Sequence, residues 1–522
     1  MPCRGPVSGS HPTPRQKCLI CCSFGEKSRG LPERQQPAWR TWLRSDARFE
    51  GSDLPAGAAL GYLAGGEDRR RSGGPCGGEP VWPQPSWGKF LMVVATNLPR
   101  DRLVAELAVA FPEAVTEGEP AAAAAQPCRG GRLAAEQRLA AVAPAEYSQT
   151  RNFVTGAVSR LSPWIRHGVV SLAEVRDRAL EQAGPDAAEK FISELGWRDY
   201  WRRVHAASGD RIGFDLEAAS ARPRAAQVDR MPEDVLAGRT GLACIDDFVR
   251  RLHADGWLHN HERMWLASWL VHVRGVHWRA GADWFLRHLL DGDPASNHLS
   301  WQWVAGTFSA KPYIFNRENL ERFTNGVHCR HCAVAGHCDV EGDYDSLAAR
   351  LFVGQGGADF DASPAVSLRP AEPWRPAASP RKPLVWITLD SLSPRSPAAA
   401  AWPSAPRLFI VDRAWLAAER PALKRLVFIW ECLADLPEVE IHVGDPCQLV
   451  PARAAALGCD GIVVADTPCP RVRQAATAIG ETLPVRVEPW PRFCDDSKVR
   501  DLGRFSRYWN KVKPSALRPT AE

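Results

Sequence analysis

The chain contains no run of about 18 apolar residues, so no transmembrane helix is expected in it. Its basic N-terminus lacks the apolar stretch of a secretory signal. Charge of one sign is not in excess: the net value is +5 over 522 residues, so any phosphate-binding surface must come from local clustering. The 15 cysteines lack the dense, regular spacing of a disulfide framework, and in a chain this long they point to reduced thiols or metal ligands in the cytoplasm. Tyrosine is scarce, at 6 against 21 tryptophans. A Trp-rich helical core accounts for most of these indoles, and stacking surfaces or electron-hopping chains are the functional reading of the rest.

This length is too great for one ordinary core and predicts two folded domains with flexible segments. Residues 1–91, rich in Pro, Gly, Arg and Ser, show neither helical nor strand periodicity and cannot bury enough apolar surface to offset ordering entropy. They read as a disordered or non-native N-terminal extension ahead of Met92. From Gly130 to Phe352 the apolar residues recur at helical spacing, with breaks at Pro and Gly. Residues 353–383 form a Pro/Ala-rich linker. Beyond it, "PLVWITLD", "RLFIVD", "VEIHVGD" and "GIVVAD" are short apolar runs alternating with helical stretches such as "RPALKRLVFIWECLADL", the pattern of an open, mostly parallel α/β sheet.

Between Gly256 and Thr324, HN-x-x-RM, DGD-x-x-x-N and SWQW-x-x-x-T follow one another. Upstream stand "YSQTRNFVTGAVSRLSPWIRHG" and "FISELGWRDYWRRV". This set, in this order and spacing, resembles the flavin-binding core of the photolyase/cryptochrome family, and several motifs in register are far more specific than any one alone. The α/β segment resembles the family's antenna-chromophore domain, which in the family precedes the helical one.

The resemblance implies an α+β multidomain chain in permuted order: an all-α FAD-binding domain at 92–352, the linker, a Rossmann-like α/β domain at 384–495 and a tail at 496–522. It places Tyr147, Ser159, Leu161 and Ser162 on the FAD pyrophosphate, with Val158 where the family has Thr. Arg198, Asn260, Arg263, Asp291, Asp293 and Asn297 would line the isoalloxazine, Arg263 and Asp291 as an ion pair and Asn297 facing the flavin N5. Glu194, Trp197, Met264 and Trp303 fall where dimer photolyases contact a flipped-out lesion. Arg151, Arg160, Arg202, Arg203, Lys311 and Arg317 are the expected phosphate contacts around the cavity mouth. Trp301 and Trp278 match the inner members of the family's electron-transfer chain. The outer position, near Ala225, has no Trp, so photoreduction by that route is expected to be impaired.

The implied activity is light-driven splitting of cyclobutane pyrimidine dimers in UV-damaged DNA, a carbon–carbon lyase reaction by a monomer away from membranes. The alternative is a cryptochrome-like photosensor without repair activity. The antenna, if any, could be a folate, a deazaflavin or a second flavin. Finally, Cys329, Cys332 and Cys338 follow the flavin core as C-x2-C-x5-C and need a fourth partner. Cys244 is placed as in a prokaryotic branch of the family that binds a 4Fe–4S cluster. Zinc, with His328, His331 or His337 as ligands, and plain buried thiols are the other readings.

Overall fold

The computed structural model describes residues 94–116, 118–218, 227–352, 366–372, 374 and 379–519. The extension 1–91, most of the linker and the position of Ala225 lie outside the described residues. All described residues belong to one compact unit, Gln84–Glu522.

The N-terminal half is helical, and its polar motifs start its helices. Ser171 opens the helix Leu172–Ser208 by accepting from the Glu174 amide, the S-x-x-E pattern of a capping box. That helix kinks at Gly184, whose φ of 69° is followed by Pro185. His259 caps Asn260–Ser268, with Glu262 reaching back to the His259 amide at 2.8 Å. Asp293 caps Pro294–Ala305 through the amides of Ala295 and Ser296. The expected flavin motifs therefore sit where chain direction changes, with their polar atoms turned toward helix starts.

The C-terminal half contains five parallel strands: β1 (Pro383–Ile387), β2 (Arg407–Asp412), β3 (Val439–Gly444), β4 (Gly461–Ala465) and β5 (Val485–Glu488), in spatial order β3-β2-β1-β4-β5. Strands β1 and β4 are buried along their whole length, as a sheet covered on both faces requires. Helices plus a parallel sheet match the expected architecture. The fifth strand, "VRVE", carries two charges in four residues and was not among the expected runs.

Two sets of helices pack across the expected domain boundaries. Residues 496–522 are not simply a tail: the helix Phe505–Ala516 packs back on Leu172–Ser208, with Trp509 lying so close to Gly196 that a Cβ there would come within 2.5 Å of its ring. The helices Arg100–Ala110 and Glu119–Ala125, expected in the FAD-binding domain, pack instead on Leu423–Leu433 of the α/β half. One continuous apolar core links residues of both halves, including Ile192, Leu299, Phe428 and Val463.

Leu423–Leu433 carries two cations into this core. Lys424 Nζ lies 3.1 Å from Glu119, and Arg425 lies 3.2 Å from Glu419, all four side chains being almost wholly buried. Such cations are tolerated inside only because each is paired and hydrogen-bonded.

Candidate functional site

The turn Asp291–Gly292–Asp293 is one place where the two halves meet. The Gly292 carbonyl accepts from Arg166 Nε at 2.8 Å and from Arg425 Nη2 at 3.2 Å. A Cβ at position 292 would fall 2.9 Å from the Arg425 guanidinium carbon, so the turn needs glycine there. Arg425 Nη1 also donates to the Leu286 carbonyl. Arg166 pairs at 2.6 Å with Asp390, which follows β1.

On either side of Gly292 stand two buried carboxylates. Arg263 Nη2 donates to Asp291 at 2.9 Å, the expected ion pair. Burial alone would raise the Asp291 carboxyl, but Arg263, Ser162 and Arg198 hold it below the ordinary range. Burial also opposes ionisation of Asp293, and Arg198, Arg166 and Arg202 outweigh it and hold that carboxyl far below its ordinary value. Arg198 Nη2 lies 3.6 Å from Asp293.

These groups leave buried polar atoms without hydrogen-bond partners: Arg198 Nε and Nη2, Asp291 Oδ1 and Asn152 Oδ1. Each such atom costs about 1–3 kcal/mol if left unmatched. A polar, anionic ligand with a hydrogen-bonding ring edge would satisfy them, so the residues present fit a flavin dinucleotide.

The phosphate segment follows from Tyr147, whose ring meets Phe191 edge-on at 5.1 Å and whose hydroxyl ionisation is strongly disfavoured by burial and by Glu194. The Leu161 amide donates to Ser159 Oγ at 3.4 Å, and Trp257 Nε1 donates to Ser162 Oγ at 3.3 Å. Between them Arg160 has a φ of 55°, uncommon for a non-glycine residue, and its guanidinium lies 4.4 Å over the Trp257 ring. Strain of this kind clusters at ligand-binding turns.

The expected lesion residues each pack on a different partner. Glu194 lies 3.7 Å from Arg151 and 2.8 Å from Lys190. Trp197 stacks on Phe505 at 3.9 Å, and Trp303 tilts against Tyr313 at 5.6 Å. Asn260, which is exposed, donates to the Met264 sulfur at 3.3 Å, and Asn297 donates to the Ala282 carbonyl at 2.8 Å. Trp301 is buried against Gly281, and Trp278 is buried with its indole N–H on Asp215.

Three of the expected phosphate contacts are ion-paired within the chain. Arg202 faces Asp390 at 3.4 Å, Arg203 is held by Asp199 and Asp496, and Arg317 by Glu321 and Glu341. A charge run in sequence does not reveal which cations are already neutralised. Arg151 and Arg160 border the flavin motifs, and Lys311 is exposed.

Sequence reasoning missed Arg166, Arg425 and Phe505. Two charged residues inside the apolar run "LKRLVFIW" were the available signal for Arg425, because an unpaired cation does not survive in such a helix. Phe505 was hidden in the presumed tail.

A second pocket is lined by Cys244, Cys329, Cys332 and Cys338 together with Leu242, Leu320 and Val340. Burial pushes the Cys244 thiol up to about 12 and the Cys329 thiol up to about 11, and each is raised further by its neighbours in the pocket. His328 is turned to Asp247 at 3.1 Å, and His331 and His337 are exposed. Among the described residues, no three His, Cys, Asp or Glu side chains converge closely enough to hold a single metal ion.

Residues 191–344 match the family model described as the FAD binding domain of DNA photolyase. A deoxyribodipyrimidine photo-lyase of Streptomyces griseus is 42% identical over 164 residues, covering 31% of this chain and 35% of that protein. A cryptochrome DASH of Ostreococcus tauri is 35% identical over 190 residues, covering 34% of each. The chain thus spans about a third of the length of these relatives. The crystal structure of a class III photolyase from Agrobacterium tumefaciens shares 30% identity over 37% of this chain and 43% of that one, with a TM-score of 0.34 that supports no argument about the fold.

Four buried imidazoles surround the arginine-rich turn and the Arg151 segment. Burial pushes His167 and His259 down to about 3, and His205 and His261 down to about 4. Their folded values lie below the unfolded value of about 6.5, so the unfolded chain binds more protons as pH falls through that value. Stability is full above it and is lost on acidification, on the order of 1–2 kcal/mol for each ring between about pH 7 and 5. Urea unfolding of the ligand-free protein should show a lower midpoint at the acid end of that window; an unchanged midpoint would contradict the burial of these rings.

Proposed function

We propose that this chain, which belongs through its helical half to the photolyase/cryptochrome family, is a light-driven DNA-repair flavoenzyme that splits cyclobutane pyrimidine dimers. The observation that supports it most is the pair of buried polar groups without hydrogen-bond partners on Arg198 and Asp291.

In this reading Tyr147, Ser159, Ser162 and the Leu161 backbone hold the FAD pyrophosphate. Arg198, Asn260, Arg263, Asp291, Asp293 and Asn297 border the ring system. Fully reduced FAD, when bound, supplies an electron on absorbing light. The Arg263–Asp291 pair fixes opposite charges beside the ring in a water-poor site, and the Asn297 amide is held in place by the Ala282 carbonyl. Glu194 accepts a hydrogen bond from an N3–H of the flipped dimer and so orients it. Trp197, braced by Phe505, and Trp303 stack on its bases, with Met264 filling the wall. Arg151, Arg160 and Lys311 hold the flanking phosphates.

The α/β half completes the family's two-domain arrangement in permuted order. A pocket at the carboxyl edge of its sheet, lined by Trp386, Asp412, Trp415 and Arg471 with Asp293 from the helical half, is the place for an antenna chromophore. Cys244, Cys329, Cys332 and Cys338 would hold a 4Fe–4S cluster, since four thiols around one pocket fit its ligand set. No helix among the described residues is long and apolar enough to cross a membrane. The reading is of a cytoplasmic monomer. The competing reading, a photosensor without repair activity, is favoured by relatives named cryptochrome DASH.

Reduced protein mixed with dimer-containing oligonucleotides should restore the pyrimidine absorbance under near-UV or blue light. Trp303→Ala should weaken lesion binding by about 1–3 kcal/mol. A flavin-loaded protein that restores nothing would leave the photosensor reading. Anaerobically prepared protein should contain about four iron and four sulfide per chain, lost in Cys329→Ala; protein free of both would remove the cluster.

A further inference from the structure

Trp278 sits in the core with 2% of its surface exposed, and its indole N–H donates to Asp215 Oδ1 at 2.6 Å. Asp215 is different: about a third of its side chain, 33%, reaches solvent. The pair therefore joins a buried ring to water through one carboxylate. Among the described residues, the other charged and titratable groups around the ring are His277, 5.5 Å away and 4.0 Å from Asp215, and His298, edge-on at 5.9 Å and turned to Asp283. His277 also faces Asp229 at 3.9 Å. Arg279 is held by the Gly213 carbonyl and Asp283. Asp215 alone among them meets the indole N–H.

Trp301 packs its ring against Gly281, one turn beyond Trp278 on the helix Trp278–His288, and both indoles belong to the same core cluster. The family's outer tryptophan has no counterpart near Ala225. Among the described residues, the rings that meet Trp278 are the imidazoles of His277 and His298, and no indole is among them.

We propose that Asp215 is the proton acceptor that ends this two-member chain, taking the place of a third tryptophan. The assignment rests on the flavoprotein reading above. Trp301 gives one electron to light-excited oxidised flavin, and Trp278 refills Trp301. The Trp278 radical cation then loses its indole proton to the Asp215 carboxylate, leaving a neutral indole radical and a carboxylic acid. Separation of proton from hole removes the charge that would pull the electron back. An external thiol later returns one electron to Trp278, and Asp215 returns the proton. A positioned general base of this kind accelerates proton transfer by about 10²–10⁴-fold.

Asp215→Asn separates this role from a structural one, because the amide oxygen still accepts the indole hydrogen bond but is not a base. In flavin-loaded protein after a light flash, transient absorption should show the indole cation converting to the neutral radical. Asp215→Asn should slow that conversion by about a hundredfold and lower the photoreduction yield, and Asp215→Glu should restore both. Conversion at the wild-type rate in Asp215→Asn overturns the assignment. In ligand-free protein the Trp278 indole N–H resonance should lie downfield and move on Asp215→Asn; a resonance that does not move overturns the contact itself. Protein that takes up no flavin shows no flavin band, and that outcome overturns the flavoprotein reading and this assignment together.

Discussion

The rest of the structure depends on charge buried around one glycine. Arg166 and Arg425 converge on the Gly292 carbonyl, while Arg263 and Arg198 face the carboxylates of Asp291 and Asp293 beside it. Taking charges out of water is expensive, and apolar replacements of the same volume would serve stability as well or better. An arrangement that leaves Arg198 Nε and Asp291 Oδ1 without partners is better explained by a ligand than by folding. The same arginines tie the halves together, since Arg425 comes from the α/β half and Arg166 reaches Asp390 at the end of β1. The sheet is thereby a supporting wall of the turn Asp291–Gly292–Asp293.

Aromatic residues divide along a similar line. Trp265, Trp269, Trp278 and Trp430 are among the largest fully buried side chains, which is the core role that composition alone suggests. Trp197 and Trp303 are only half-buried, and each has an aromatic ring behind it, Phe505 and Tyr313. A ring braced in this way keeps its orientation. The C-terminal helix thus contributes Phe505 to a site whose motifs all lie some 200 residues or more upstream.

Much of this was legible in the chain. The Arg263–Asp291 pair and the shared pocket of Cys244 with Cys329, Cys332 and Cys338 are contacts that the family resemblance implied from motifs in register, whereas the role of Asp293 as a helix cap was not read from the sequence. The four apolar runs became β1 to β4, while β5 escaped because Arg486 and Glu488 break its apolar pattern. Long-range pairing was not legible. Arg202 and Arg203 look like free cations in "WRDYWRRV", yet their carboxylates, Asp390 and Asp496, come from the far half of the sequence. The packing of Arg100–Ala110 on Leu423–Leu433 was equally invisible, since both helices carry apolar residues that could have faced any core.

The most direct measurement of the central claim is equilibrium titration of the purified ligand-free protein with FAD, followed by flavin absorbance and fluorescence. Saturation at one flavin per chain, with affinity lost in Arg198→Ala and in Arg425→Met, is the expected result. A polypeptide that stays colourless at saturating FAD, while folded by the same optical measures, would contradict it.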